Sequence, residues 1–313
     1  MEGKSSKHCY ITAKIRILSC IPVKEILHKV KKLDIKIRRI VDSSFAGEYR
    51  SAFRGQGLEF DEVRAYQFGD DIRSIDWNVT ARSDTVYVKL FREEREQELF
   101  VILDTSGSLD FGIEGQNKKE IATELAAIFA YSAMKNNDRF GLLLFSDQVE
   151  KFYRPVKGRS HILSMMSNML EFQAAHAKTN LKQALEFFRS IQKKRSVVIV
   201  ISDFMDAGYE ENIRKLSRRH EVILIRLYHP SEIINHREGI LPVRDNEAGI
   251  IRWLSAGGNL FARNSKTYLD SIQTNLEEIS RQKHVFLLSI DTSKDYVPVL
   301  GKFFQQLHAA HSK

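Results

Sequence analysis

The stretch Leu99-Phe100-Val101-Ile102-Leu103-Asp104-Thr105-Ser106-Gly107-Ser108 decides the fold. Its leading residues form a continuous apolar run, the pattern of a strand buried on both faces of a parallel sheet. At its end Asp104, Ser106 and Ser108 place one carboxylate and two hydroxyls at alternate positions. A tight turn there aims all three at one point. In an open parallel sheet, ligands bind outside the carboxyl ends of the strands. Carboxylate and hydroxyl oxygens are hard donors that suit Mg²⁺, Mn²⁺ or Ca²⁺ and suit zinc poorly.

Outward from this strand, apolar runs alternate with helical periodicity. Ile121, Leu125, Ile128, Phe129 and Ala133 predict a helix over 118–135. Phe140–Phe145, Val197–Ile201, Val222–Leu227 and Val285–Ser289 read as further strands. Helices are expected at 159–172, 180–192, 209–219, 265–283 and near 295–309. The runs 239–244 and 249–254, flanking Asp245-Asn246-Glu247-Ala248, read as an inserted hairpin. Strands alternating with helices imply an α/β fold, a doubly wound and mostly parallel sheet covered on both faces. Upstream, Val86–Phe91 is the clearest strand of a turn-rich, charged region.

Two more oxygens arrive from later in the chain. Val197–Ile201 runs into Ser202-Asp203-Phe204, and Thr179 sits in a loop where a helix opens. Asp104, Ser106, Ser108, Thr179 and Asp203 thus form an all-oxygen set of candidate metal ligands. Asp104 as a turn cap and Ser106 or Ser108 as a helix cap is the plainer alternative.

The order Asp-x-Ser-x-Ser, then a loop Thr, then an Asp after a later strand resembles the metal-ion-dependent adhesion site of von Willebrand factor A domains. Upstream, Gly57–Tyr66, then Gly69-Asp70-Asp71-Ile72-Arg73-Ser74-Ile75-Asp76-Trp77, then Ala81-Arg82, sharpen the likeness. They resemble the bacterial family of uncharacterised von Willebrand factor A-like proteins associated with MoxR-type AAA+ ATPases, over about residues 23–290. The chain departs from the pattern at Ala177-Lys178, where small residues usually precede the threonine. It also departs in having no membrane span near its N-terminus.

The resemblance implies binding rather than catalysis. Ser106, Ser108 and sometimes Thr179 contact the cation, the acids act through water, and an acidic residue of a client fills an open position. It also implies a MoxR-type AAA+ ATPase as partner. Read from the residues themselves, Asp70, Asp71, Arg73, Asp76, Trp77 and Arg82 suit either a functional surface or an internal ion and hydrogen-bond network fixing the N-terminal region against the A-like domain; the network is expected, with Trp77 a core anchor rather than a ligand platform.

Net charge of +8 resides in residues 1–55, which hold 13 Lys/Arg against 5 Asp/Glu. Apolar spacing from Val23 to Val41 predicts a basic amphipathic helix, suited to the body of the protein, a partner or peripheral contact with a membrane surface. No aromatic residues interleave its charges, so nucleic acid is not expected. Cys9 and Cys20 form no CxxC pair, and free thiols in a reducing compartment are expected. No apolar run reaches membrane-spanning length, and the expected location is the cytoplasm. The absence of GxxxxGK[ST] and HExxH argues against a nucleotide or zinc site.

The chain therefore divides into a basic helical segment at 1–44, a β-rich region at 45–98, and an A-like domain at 99–290. The domain carries a hairpin insertion at about 230–264, and a C-terminal helix follows at 291–313. The rival to a non-enzymatic adaptor is a metal-dependent phosphatase or hydrolase using Asp104. Enzymes that work through a phosphoaspartate want a second Asp where Ser106 stands.

Overall fold

A computed structural model describes residues 57–83, 85–94, 97–111, 117–232, 240–244, 251–255 and 259–311. The expected basic helix at 23–41, together with Cys9 and Cys20, lies outside the described residues.

The first described element is an antiparallel hairpin. Strands β1 (Gly57–Ala65) and β2 (Tyr87–Glu94) pair from Gly57↔Glu94 to Ala65↔Tyr87, with a bulge between Phe60 and Glu62. Their connection holds a 3₁₀ turn (Ile72–Ser74) and the short helix α1 (Trp77–Thr80). Asp71 caps the turn by accepting from the Arg73 N–H, and Asp76 caps α1 by accepting from the Asn78 and Val79 N–H groups. Such caps satisfy backbone donors left over at a helix start.

These capping roles correct part of the sequence reading. The bonds given to Asp70, Asp71 and Asp76 close within the segment: Asp70 forms a two-pronged pair with Arg64 at 2.7 and 2.8 Å, and Asp76 faces Lys89 at 3.6 Å. Trp77 is not a core anchor, since it is 66% exposed. Phe68 and Ile72 are exposed beside it in sequence. The carboxylates are occupied in shaping local turns, which leaves the neighbouring apolar side chains outside.

The main body begins at β3 (Glu98–Asp104), buried along its whole length. Helix α2 (Lys118–Asn136) follows, started by the Asn117 side chain accepting from the Glu120 N–H and ended by Asn137 in the left-handed conformation. Then come β4 (Arg139–Phe145), β5 (Val149–Val156), α3 (Arg159–Glu171), α4 (Leu181–Ile191), β6 (Val197–Ser202), α5 (Glu210–Ser217) and β7 (Glu221–Tyr228). The hairpin β8 (Ile240–Arg244) and β9 (Ile251–Ser255) interrupts the alternation as expected. Helix α6 (Asn259–Ser280), β10 (Val285–Asp291) and α7 (Val297–His311) complete it.

Six strands form one sheet in the order β10-β7-β6-β3-β4-β5, parallel throughout except that β5 runs antiparallel to β4. Strand β5 has no counterpart in the sequence reading. Its segment Val-Glu-Lys-Phe-Tyr-Arg-Pro-Val is only half-buried, as an edge strand is, and shows no continuous apolar run.

Alternation along each strand builds two cores. Leu99, Val101 and Leu103 pack with side chains of α2, α3 and α7, while Phe100 and Ile102 pack with those of α4, α5 and α6. The sheet is thus covered on both faces, the doubly wound arrangement expected from the sequence. Among the described residues, no helix is long and apolar enough to cross a membrane.

Candidate metal-binding site

Strand β3 connects through α2 to β4 on one side of itself, while β6 pairs on its other side. Strand order reverses between β3 and β6, so a crevice opens outside their carboxyl ends. Asp104 closes β3, and Ser202 closes β6 with Asp203 next. The topology therefore delivers both carboxylates to the one place in such a sheet that favours a ligand.

The turn after Asp104 is held from three directions. The Thr105 N–H and hydroxyl both donate to the Phe145 carbonyl at the end of β4, at 2.8 and 2.7 Å. The Ser106 N–H donates to Asp104 Oδ1 at 2.9 Å, bending the turn back over the carboxylate. The Ser106 and Ser108 hydroxyls then lie 3.0 Å apart. Ser106 is fully buried and Ser108 half-buried.

The Thr179 loop is brought to the same rim. The Gly107 N–H donates to the Ala177 carbonyl at 2.7 Å, joining this loop to the serine turn. On its other side the Asn180 N–H donates to the Ser146 carbonyl at 2.8 Å, and the Leu181 N–H donates to Asp206 Oδ2 at 2.7 Å. Two backbone bonds and the Asp206 carboxylate therefore clasp the loop to the segments that follow β3, β4 and β6, with half-buried Thr179 between them.

Three partners of this rim escaped the sequence reading. Ser202 donates its hydroxyl to Asp104 Oδ2 at 2.6 Å and accepts from the Phe204 N–H at 3.0 Å. Lys118, the first residue of α2, is fully buried and donates to Asp203 Oδ2 at 3.1 Å. Its ammonium also pairs with Glu232, in the 3₁₀ turn that follows β7. Asp203 Oδ1 accepts from the Met205 N–H at 3.2 Å, so both oxygens of that carboxylate are engaged. Phe204 takes a positive φ of 58°, which reverses the chain directly after Asp203.

Ser202 was legible in principle, as a hydroxyl at a strand end beside an acid. Lys118 was not, because periodicity assigns a lysine to the solvent face and lysines are almost never fully buried unless paired.

The electrostatics follow from this packing. Asp104 is buried, and burial together with the nearby Asp203 charge pushes its carboxyl up to about 7, against hydrogen bonds from Ser202 and Ser106 that lower it. Two buried carboxyls, one of them paired with the Lys118 ammonium, lie beside two neutral hydroxyls, and all of these donors are hard oxygens. Asp104, Ser106, Ser108, Thr179 and Asp203 therefore fit a hard divalent cation. Among the described residues no three His, Cys, Asp or Glu side chains gather into a metal site. The fit thus depends on the hydroxyls as much as on the acids.

The chain is similar to several known proteins. Uncharacterized protein Mb1516 of Mycobacterium bovis is 27% identical over 280 residues, spanning 88% of this chain and 87% of its own. Uncharacterized protein Rv1480 of Mycobacterium tuberculosis matches to the same extent, 27% over 280 residues. Among solved structures, BatB from Bacteroides thetaiotaomicron aligns with 68% of this chain and 99% of its own at 14% identity, TM-score 0.41. Proximal thread matrix protein 1 of the mussel byssus, in a form whose MIDAS motif is occupied by zinc, aligns with 68% of this chain and 47% of its own at 13% identity, TM-score 0.36. Residues 62–269, from β1 into α6, match a single family model, and the chain belongs to the family described as protein of unknown function DUF58.

Proposed function

We propose that this chain is a non-enzymatic adaptor that binds protein through a divalent cation. Mg²⁺ is the first choice, and Mn²⁺ and Ca²⁺ share the same oxygen chemistry. Asp104, Ser106, Ser108 and Thr179 would hold the ion, with Asp203 behind them. The observation that carries the reading is the pair of serine hydroxyls 3.0 Å apart, folded over a buried Asp104 at the reversal of strand order.

Neutral donors leave a bound cation under-neutralised, so it would supply positive charge that attracts a partner's carboxylate at low local dielectric. The chain's own residues do the rest. Ser202 and the Ser106 N–H fix the two Asp104 oxygens, while the backbone clasp holds the Thr179 loop in reach. The partner of this adaptor is a client protein offering an acidic side chain. A MoxR-type AAA+ ATPase would supply the energy for client assembly or maturation, as the sequence resemblance implies.

The hydrolase alternative fits less well. Asp104 has one oxygen taken by Ser202 and the other by the Ser106 N–H, a poor setting for a nucleophile. Affinity capture from cells tests the adaptor reading. The wild-type chain should retain a defined set of proteins in Mg²⁺ and lose them in chelator, and Asp104→Ala should retain none of them. Equal capture by Asp104→Ala, or capture indifferent to chelator, contradicts it.

A further inference from the structure

Lys118 is in an expensive place. It is the first residue of α2, where the helix dipole repels a cation, and its side chain is fully buried. Only strong compensation keeps an ammonium there. Asp203 and Glu232 supply it as direct partners, and the Phe111 ring lies 5.9 Å from Nζ. Glu232 is nearly buried as well, at 7% side-chain exposure. Arg226 of β7 is held nearby by Gln273 and the Leu269 carbonyl, with Glu232 and Asp203 acting on its charge. Asp203 and Glu232 thus face two fixed cations, Lys118 and Arg226, and the Asp104 carboxyl lies beside Asp203. With Asp104 ionised these five side chains carry a net negative charge, and a divalent cation reverses its sign.

We propose that Lys118 is a resident counter-cation of the metal site. It occupies Asp203 Oδ2 and ties it to Glu232, which keeps Asp203 out of direct contact with the ion. The ion is then held by Asp104 and hydroxyls alone, binds weakly, and retains charge for a client carboxylate. Lys118 is a positioning residue: it acts through Asp203. This rests on the metal-site reading above and adds what sets the affinity of that site.

The test is titration of the purified full chain with Mn²⁺ and Mg²⁺ by calorimetry, comparing wild type, Asp104→Ala, Lys118→Met and the double variant Lys118→Met/Glu232→Gln. Releasing Asp203 should tighten binding by about tenfold or more in Lys118→Met, because a unit charge beside the site is removed. The double variant removes one charge of each sign and guards against a fold weakened by an unpaired Glu232. It should tighten binding by about threefold or more. A purely structural lysine would leave the affinity of the folded double variant unchanged. Affinities within about twofold of wild type in both folded variants, with binding still lost in Asp104→Ala, overturn the role of Lys118 and leave the metal site standing. Binding in the Lys118 variants but not in wild type supports it. No saturable binding in any variant overturns both readings.

Discussion

The Ser202 hydroxyl donates to Asp104 Oδ2 at 2.6 Å, joining the ends of β6 and β3 across the point where strand order reverses. Both groups are buried, and the same hydroxyl accepts from the Phe204 N–H. Replacing it leaves a carboxylate oxygen and a backbone donor without this partner. Ser202→Ala should lower the unfolding free energy by about 2 kcal/mol, the scale of a hydrogen bond to a charged group. Urea denaturation checks this, with the midpoint falling and the slope unchanged.

Asp104 makes the metal-free fold sensitive to base. Its carboxyl is raised from an ordinary 3.8 to about 7, chiefly by burial and then by Asp203. Between those values the folded chain keeps a proton that the unfolded chain has lost, so stability falls as pH rises through the window. Asp104→Asn should flatten that slope. Added Mg²⁺ should stabilise the wild type more at about pH 8 than at about pH 5.5, because the cation and the proton compete for one carboxylate. Thermal unfolding across pH, with and without Mg²⁺, reads both effects.

The acid side has a different origin. His220 is 3% exposed, its ring lies 5.7 Å from that of Phe188, and its Nδ1 has no hydrogen-bond partner. Burial, reinforced by Arg219 and Arg195, lowers it from 6.5 to about 4. The unfolded chain therefore takes up a proton first as pH falls, and stability is lost from 6.5 down through about 4. His220→Phe should weaken that loss by an amount on the order of 2 kcal/mol. Denaturation midpoints between about pH 7 and pH 4.5 measure it, and an unchanged acid limb would count against the buried neutral imidazole.

How legible all this was depended on the kind of residue. Buried parallel strands announce themselves as apolar runs, so β3, β4, β6, β7 and β10 were found within a residue or two of their ends. Edge strand β5 carries Glu150, Lys151 and Arg154 among its apolar residues and was invisible to that signal. Within the site, Asp104, Ser106 and Ser108 were legible because they are local to one turn. Lys118 was not, since its burial is decided by Asp203 and Glu232, residues 85 and more positions away. Trp77 failed for the converse reason: aromatic size suggested burial, but the caps on Asp71 and Asp76 shape a tight local turn that leaves it outside.

Packing of the sheet offers a sharp check on the core. A Cβ at Gly141 would lie 2.3 Å from the Phe100 ring, which stands edge-on to Phe188 at 4.9 Å. The ring has little room to yield, so Gly141→Ala should cost about 1–3 kcal/mol through overpacking. A variant as stable as wild type in urea would mean that Phe100 moves freely, against this close approach.

Direct binding of a cation by the hydroxyl pair is the central claim. The most direct measurement is titration of Mn²⁺ into the purified chain, followed by the loss of its free-ion electron paramagnetic resonance signal, with wild type against Ser106→Ala/Ser108→Ala. The account predicts one saturable site in the wild type, displaced by Mg²⁺, and affinity lower by about tenfold or more in the double variant. Equal Mn²⁺ uptake by both proteins would contradict it.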